Sequence, residues 1–340
     1  MGAALYDVLP FENLYWSQFE TLPFEEMQAI QLSRLRQTVE RARNVPFYEE
    51  RLAGLQGAIA SVDDVRQLPL TTLAEVMVRP LAERLGVPRY KIACVSGFEA
   101  GSSSQAVKVP QTTERTTGKT AVSARSAFLN AWTERDLEAA AERCARFLYA
   151  NGVRGNHLLT DLTSGELWRG AARISAGWLR AEETTVDEAV RSMRSEELLL
   201  STAQLKRLAG NGRLLTDASL PLRAVFVEMD LRADSLVDSV EWARSSTVPV
   251  YRCLALPALG GCVAFECHEH AGFHVQEDDF LIECLDPVTL EPVPDGTPGE
   301  LAITSLRQEA TPLVRLRTGK TVVLDRGTCA CGRERLRLRF

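Results

Sequence analysis

Helix-like and strand-like segments alternate through the middle of this 340-residue chain, and strand-like segments dominate after Pro249. Six short runs have the composition of strands: Lys91–Ser96, Ala224–Val227, Val248–Tyr251, Phe280–Cys284, Glu300–Thr304 and Thr321–Leu324. Alternation of the two element types is typical of a sheet covered by helices, whereas a run of strands is typical of a β layer. The sequence therefore predicts an α/β body followed by a smaller β-rich subdomain.

Two segments have the apolar spacing of amphipathic helices. The first, near the N-terminus, has its apolar residues three and four positions apart, at Leu32, Leu35, Val39 and Ala42. Pro46 is expected to stop this helix because its ring interrupts the hydrogen-bond ladder. The second helix is predicted over 136–150, with Thr133 as an N-cap ahead of an acidic first turn.

Composition excludes several classes of protein. Charged residues are 25% and hydrophobic residues 45%, the mix of a globular protein, and the formal net charge is −6. A general nucleic-acid binder needs a basic surface, so we expect no nucleic-acid partner. No apolar run approaches the ~18 residues of a membrane span. The N-terminus also lacks the basic and apolar regions of a signal peptide, so we expect no membrane and a cytoplasmic location.

A set of cysteines and one histidine in the last quarter predicts a metal site. Cys267 and His274 lie close together in sequence, and Cys329 and Cys331 form a Cys-x-Cys pair. Thiolate and imidazole are preferred zinc ligands, and four of them close a structural site. The spacing alone leaves open that these are buried thiols and a surface histidine. Three nearby residues would open the site for catalysis if they joined it: Cys262, His268 and His270.

Further residues at both ends of the chain carry a family resemblance. In the N-terminal part these are Trp16, Glu20-Thr21-Leu22, Val45-Pro46-Phe47-Tyr48 and Leu68-Pro69. In the C-terminal part they are Glu266-Cys267, Gly272, His274, Glu277-Asp278, Glu283, Asp286-Pro287, Gly299-Glu300-Leu301, Arg315, Arg317-Thr318 and Cys329 with Cys331-Gly332-Arg333. On these residues the chain resembles the phenylacetate–coenzyme A ligase family of adenylate-forming enzymes.

The resemblance implies an α/β fold, the large N-terminal domain of an adenylate-forming enzyme with a β-rich subdomain. It also implies that the C-terminal lid domain is absent, because the chain stops at Phe340. We expect a helical segment over 1–95, an α/β body over 96–247 and a zinc-binding β-rich subdomain over 248–340. Several members of the family carry zinc on such a set, which implies structural zinc on Cys267, His274, Cys329 and Cys331.

The family joins a carboxylate to AMP with ATP and then transfers the acyl group to a thiol, and this sequence departs from the residues which that chemistry needs. The phosphate loop, over 96–104, lacks its lysine and gains Glu99. Ala255 stands where the resemblance expects the carboxylate that helps to hold magnesium. Lys320 stands where it expects the aspartate that accepts hydrogen bonds from the ribose, and an ammonium group cannot accept one. We therefore expect that adenylation is lost.

The family's substrate cavity would be bordered here by 161–168, 228–230 and 251–256. Its polar residues are candidates for acid, base or orienting roles: Asp161, Glu166, Glu228, Asp230 and Tyr251. Trp168, Leu254 and Leu256 are candidates for substrate binding, and no residue is assigned to a cofactor other than zinc. His157 is interpreted as a surface or capped loop histidine.

Three functions remain open at this point. The first is a repurposed biosynthetic enzyme that cyclises, condenses or hydrolyses an aromatic or polyketide-like acyl substrate without ATP. The second is a non-catalytic binding or partner subunit, and the third is a weak ATP-dependent acyl–coenzyme A ligase. A homo-oligomer or a complex with a protein of the same pathway is equally open.

Overall fold

The computed structural model describes residues 15–55, 57–99, 127–163, 165–210, 219–232 and 248–340. The predicted phosphate loop lies outside these residues from position 100 onward. The helices are α1 (Phe24–Arg43), α2 (Pro46–Leu52), α3 (Leu73–Met77), α4 (Leu81–Arg84), α5 (Glu134–Ala150), α6 (Leu167–Arg173), α7 (Val186–Met193) and α8 (Thr202–Gly210). None of these helices is both long enough and apolar enough to cross a membrane.

Fourteen strands accompany the helices in the part of the chain that the structure describes. They are β1 (Thr71–Thr72), β2 (Cys94–Glu99), β3 (Ala127–Trp132), β4 (Leu158–Asp161), β5 (Gly177–Arg180), β6 (Glu197–Ser201), β7 (Ala224–Asp230), β8 (Val250–Ala255), β9 (Cys262–Glu266), β10 (Phe273–Val275), β11 (Phe280–Leu285), β12 (Pro298–Ser305), β13 (Leu316–Asp325) and β14 (Arg337–Arg339). All six predicted strands are present, with bounds shifted by a few residues.

The two predicted helices are confirmed. In α1, Leu35, Val39 and Ala42 are buried on one face. Pro46 follows the end of α1, but it does more than stop it, because it opens α2 at a position where a missing N–H does no harm. In α5, Thr133 is the N-cap and forms a capping box with Asp136.

Twelve strands form one twisted sheet across most of the chain. Strands β5, β4, β6, β7 and β8 are neighbours in that order and run parallel. From β8 onward the sheet continues through β9, β10, β14, β13, β12 and β11 with antiparallel pairing. The twelfth strand, β1, lies off this path and pairs with β13 in parallel. The α/β body and the β-rich part are thus both present and share this sheet. The boundaries at residues 95 and 247 stay predictions.

Two hydrophobic cores cover the two faces of the parallel strands. The first core contains Val190 of α7, Leu205 of α8 and Leu35 of α1. The second contains Phe147 of α5 and Ala171 of α6. Because neighbouring residues of a strand point to opposite faces, β6, β7 and β8 each contribute to both cores.

Buried ion pairs join α5 to the turn between β10 and β11. Arg146 donates to both carboxylate oxygens of Asp278, at 2.6 and 3.0 Å. One turn away, Arg143 Nη1 lies 2.6 Å from Asp279 Oδ2. These four side chains are at most 5% exposed, so each charge depends on its partner.

Arg146→Ala should lower the free energy of unfolding by about 3–5 kcal/mol, because it leaves Asp278 buried without its main partner. Arg79→Ala is the control, since the Arg79–Glu83 pair is exposed and should contribute about 1 kcal/mol or less. Urea unfolding followed by circular dichroism measures both. Equal losses in the two variants would contradict the importance of the buried pair.

Candidate functional site

Cys267, His274, Cys329 and Cys331 converge on one buried point. Their ligand atoms all lie within 4.8 Å of one another. Cys267 Sγ is 3.8 Å from Cys329 Sγ, and Cys331 Sγ is 3.5 Å from His274 Nε2. Cys267 directly follows β9 and His274 lies in β10, while the Cys-x-Cys turn precedes β14. The pairing of these three strands therefore brings the two halves of the set together.

This geometry fits a tetrahedral zinc ion. With Zn–S near 2.3 Å and Zn–N near 2.0 Å, a tetrahedron needs S···S separations of about 3.8 Å and S···N separations of about 3.5 Å. Hydrogen bonds from Cys267 and then from His274 lower the pKa of the Cys331 thiol, which favours the thiolate form that binds metal. The backbone N–H of Gly332 donates to the Cys329 carbonyl at 2.9 Å and holds the turn.

The sequence analysis missed the groups that surround this cluster. Arg333 Nη1 lies 3.6 Å from Cys331 Sγ, and its Nη2 donates to Glu20 at 2.6 Å. Tyr15 donates its hydroxyl proton to the Cys331 carbonyl at 3.1 Å. Glu20 and Arg333 were noted only for the resemblance. The sequence signal that could have identified Arg333 is its position directly after Cys-x-Cys-Gly, which places a positive charge close to the thiolates.

Four of the predicted polar residues converge at the carboxyl ends of the parallel strands. Asp161 ends β4, Asp230 ends β7 with Glu228 two residues before it, and Glu166 is the N-cap of α6. This edge is where open α/β sheets bind ligands. Arginines pair with three of these carboxylates, through the contacts Arg180–Asp161, Arg169–Glu166 and Arg232–Asp230.

Glu228 differs from the other three carboxylates. Its Oε2 atom is shielded from solvent and has no hydrogen-bond partner among the described residues. A Cβ atom on Gly165 would lie 2.0 Å from that oxygen, so the carboxyl group packs directly against the glycine. Burial, with the nearby charges of Glu166, Asp230 and Asp161, raises the pKa of Glu228 to about 8. At neutral pH the Glu228 carboxyl group is therefore mostly protonated and can donate that proton.

The structure does not bring Leu254, Leu256 and Tyr251 to these carboxylates. Leu254 and Leu256 are buried in the first core, whereas Glu228 points to the opposite face because Val227 and Met229 lie in that core. Tyr251 pairs with Phe226 nearer the other end of the strands, and its ring stacks on His270 with centroids 5.2 Å apart.

Trp168 is half-buried and packs against Trp178 of β5, with ring centroids 4.9 Å apart. Arg169 lies over the same ring at 4.6 Å.

A cavity of about 170 Å³ between α1 and β11 is lined by none of the predicted site residues. The assignment of roles to individual site residues stays a prediction.

The positions that depart from the ligase motifs have structural partners here. Arg252, three residues before Ala255 in β8, donates a hydrogen bond from Nε to Glu266 Oε2 at 2.7 Å. Ala255 is 1% exposed at the end of β8. Lys320 lies in β13, where its backbone N–H donates to the Thr318 hydroxyl at 3.2 Å.

Comparison with known proteins finds similar sequences among phenylacetate–coenzyme A ligases. The chain is 27% identical to a phenylacetate–coenzyme A ligase of Thermus thermophilus, over 96% of this chain and 72% of the relative. It is 26% identical to the enzymes of that name from Pseudomonas putida, over 91% of this chain and 69% of the relative, and Escherichia coli, over 93% and 71%. No protein-family model matches the chain.

The resemblance to phenylacetate–coenzyme A ligases is confirmed. A solved 2-hydroxyisobutyryl-CoA ligase in complex with 2-HIB-AMP and CoA superposes with a TM-score of 0.77 at 20% identity, covering 97% of this chain and 72% of that one. The same ligase in a postadenylation state gives a TM-score of 0.79 at 19% identity, over 97% and 70%. The chain therefore has the large-domain fold of adenylate-forming ligases, as the sequence predicted.

Glu228→Gln should change how stability depends on pH. Because the pKa of Glu228 is raised above its unfolded value, the folded state holds a proton that the unfolded state releases, so this group lowers stability as the pH rises from about 5 to about 8. The glutamine variant should lose less free energy of unfolding over that range than the wild type. Urea unfolding at several pH values measures this, with the exposed Glu188→Gln as control. Parallel profiles for all three proteins would contradict the raised pKa.

Proposed function

We propose that this chain is a repurposed ligase-like enzyme that acts on an aromatic or polyketide-like acyl substrate without ATP, in a bacterial biosynthetic pathway. The reaction would be a cyclisation, a condensation or a hydrolysis. The observation that carries the proposal is the buried Glu228 carboxyl group, whose Oε2 atom has no hydrogen-bond partner among the described residues and whose pKa is raised to about 8. It lies at the carboxyl ends of the parallel strands, where open α/β sheets bind ligands.

A protonated carboxyl group suits an uncharged acyl carbonyl. Glu228 would donate a hydrogen bond, and then its proton, to a carbonyl oxygen that gains negative charge during the reaction. Glu166, Asp230 and Asp161 act through Glu228, since their charges oppose its ionisation. These three are positioning residues in this scheme, and the arginines that pair with them hold them in place.

Two substitutions disfavour the binding of ATP. Ala255 provides no carboxylate to help hold magnesium. Lys320 provides no acceptor for ribose hydroxyl groups. These substitutions support the loss of adenylation in the proposal.

A second candidate is an ATP-dependent acyl–coenzyme A ligase. It is favoured by the similarity to the Thermus thermophilus enzyme, which extends over 96% of this chain. This candidate requires that ATP binds despite the substitutions at Ala255 and Lys320, so ATP binding separates the two functions.

We also propose that Cys267, His274, Cys329 and Cys331 hold a structural zinc ion. Four protein ligands leave no position for water, as in zinc sites that support a fold. The ion would tie the turn before β14 to β9 and β10, and Arg333 would carry the same restraint to Glu20.

Activity assays test the enzyme proposal. Purified protein is tested for ATP–pyrophosphate exchange with phenylacetate, and for turnover of phenylacetyl and linear polyketone thioesters of N-acetylcysteamine without ATP. We expect no exchange and thioester turnover that falls at least about 100-fold in Glu228→Gln, because a general acid contributes about that much or more. Glu188→Gln should retain full turnover. Exchange at micromolar ATP would establish the ligase instead, and inactivity in both assays would favour the partner subunit.

Metal analysis tests the zinc proposal. After dialysis against buffer, we expect about one tightly held zinc ion per chain, and a lower melting temperature after removal by a chelator. Cys331→Ser should lose the ion, whereas Cys284→Ser should retain it, since Cys284 is a buried thiol outside the cluster. Stable, metal-free wild-type protein would refute the site.

A further inference from the structure

A second group of side chains that could bind a metal lies at the amino ends of the parallel strands, opposite the carboxylates described above. His157 precedes β4, Glu197 is the first residue of β6, and Glu196 precedes it. One ligand atom from each residue lies within 4.8 Å of the other two. His157 Nδ1 is 2.6 Å from Glu197 Oε1. This group is remote along the strands from Asp161, which ends β4.

Glu197 supplies an observation independent of this clustering. The residue is 2% exposed, and its Oε2 atom is buried without a hydrogen-bond partner among the described residues. A buried carboxylate oxygen without a partner is unfavourable, and a cation is one group that satisfies it. Burial raises the pKa of Glu197, while the hydrogen bond with His157 opposes that shift.

The geometry points to a second divalent-metal site, formed by His157, Glu196 and Glu197, that takes a borderline cation such as Zn²⁺. One imidazole nitrogen and carboxylate oxygens are zinc ligands, and three protein ligands leave at least one position for water. Glu196 now pairs with Arg223 at 3.3 Å, and that pair is partly exposed, so this carboxylate can exchange its partner for a metal ion.

The metal would strengthen a junction that the backbone already forms. The Gly177 N–H donates to the His157 carbonyl at 2.9 Å, and the Glu196 N–H donates to the Leu158 carbonyl at 3.0 Å. A cation on these side chains would link the loop before β4 to the start of β6. With an open coordination position and no thiolate, it should bind more weakly than the ion of the cysteine cluster and exchange with solution.

The test uses protein whose cysteine cluster is already filled with zinc and from which free metal has been removed. Calorimetric titration with zinc chloride should give one further equivalent. Titration with cobalt chloride should give weak visible bands without sulfur-to-metal charge transfer, because no thiolate belongs to this site. A wild type that takes up no further equivalent, or a cobalt spectrum with thiolate bands, would overturn the proposal.

Two variants test whether the second zinc ion binds at these residues. His157→Asn keeps a donor for Glu197 but removes the imidazole ligand, and Glu196→Gln alters a partly exposed position, so folding should survive in both. We expect each variant to lower the affinity for the second zinc ion by about 10-fold to 100-fold or more. Binding of the first zinc ion, at the cysteine cluster, should not change. Glu188→Gln, which removes an exposed carboxylate elsewhere, should bind as the wild type does. Unchanged binding in His157→Asn would refute the site.

Discussion

The buried contact between Arg146 and Asp278 connects the two halves of the sheet. Arg146 belongs to a helix that covers the parallel strands, and Asp278 belongs to a turn between antiparallel strands. Neither charge is stable in the interior alone, so the helix and the turn must dock together. The turn directly follows β10, which carries His274 and pairs with β9, and β9 pairs with β8. The docked helix therefore supports the part of the sheet that carries Cys267 and His274.

Much of the fold could be predicted from the sequence because local signals agreed with the tertiary structure. Thr133 and Asp136 form the capping box that their spacing indicates, and the apolar face of α1 is buried. The four candidate metal ligands were also identified, by residue type and by the family resemblance. Their spacing alone does not show that they converge, because it does not reveal that β14 pairs with β10 and so brings Cys329 and Cys331 to His274.

The rest of the site depended on information that a linear sequence does not hold. Leu254 and Leu256 stand close to Tyr251 in sequence, yet the alternation of strand β8 sends them to the opposite face. The raised pKa of Glu228 follows from burial and from carboxylates that include Glu166 and Asp161, which lie far from it in sequence. Its carboxyl group also packs against Gly165, which is equally distant in sequence. Likewise, the sequence indicated only a surface or capped loop histidine at position 157. In the structure the start of β6 lies next to it, and its side chain contacts Glu197.

The Glu228 carboxyl group also bears on the choice between an enzyme and a passive subunit. The Glu228 Oε2 atom, shielded from solvent and without a hydrogen-bond partner in the described part of the chain, lies near three other carboxylates, and this arrangement opposes folding as the pH rises through neutrality. A subunit that only supports a complex gains nothing from such a group, whereas an acid catalyst needs a carboxyl that retains its proton near pH 7. Strained or unsatisfied polar groups at a ligand-binding edge are typical of functional sites. The burial and raised pKa of Glu228 therefore support the proposed acid role more than a purely structural one.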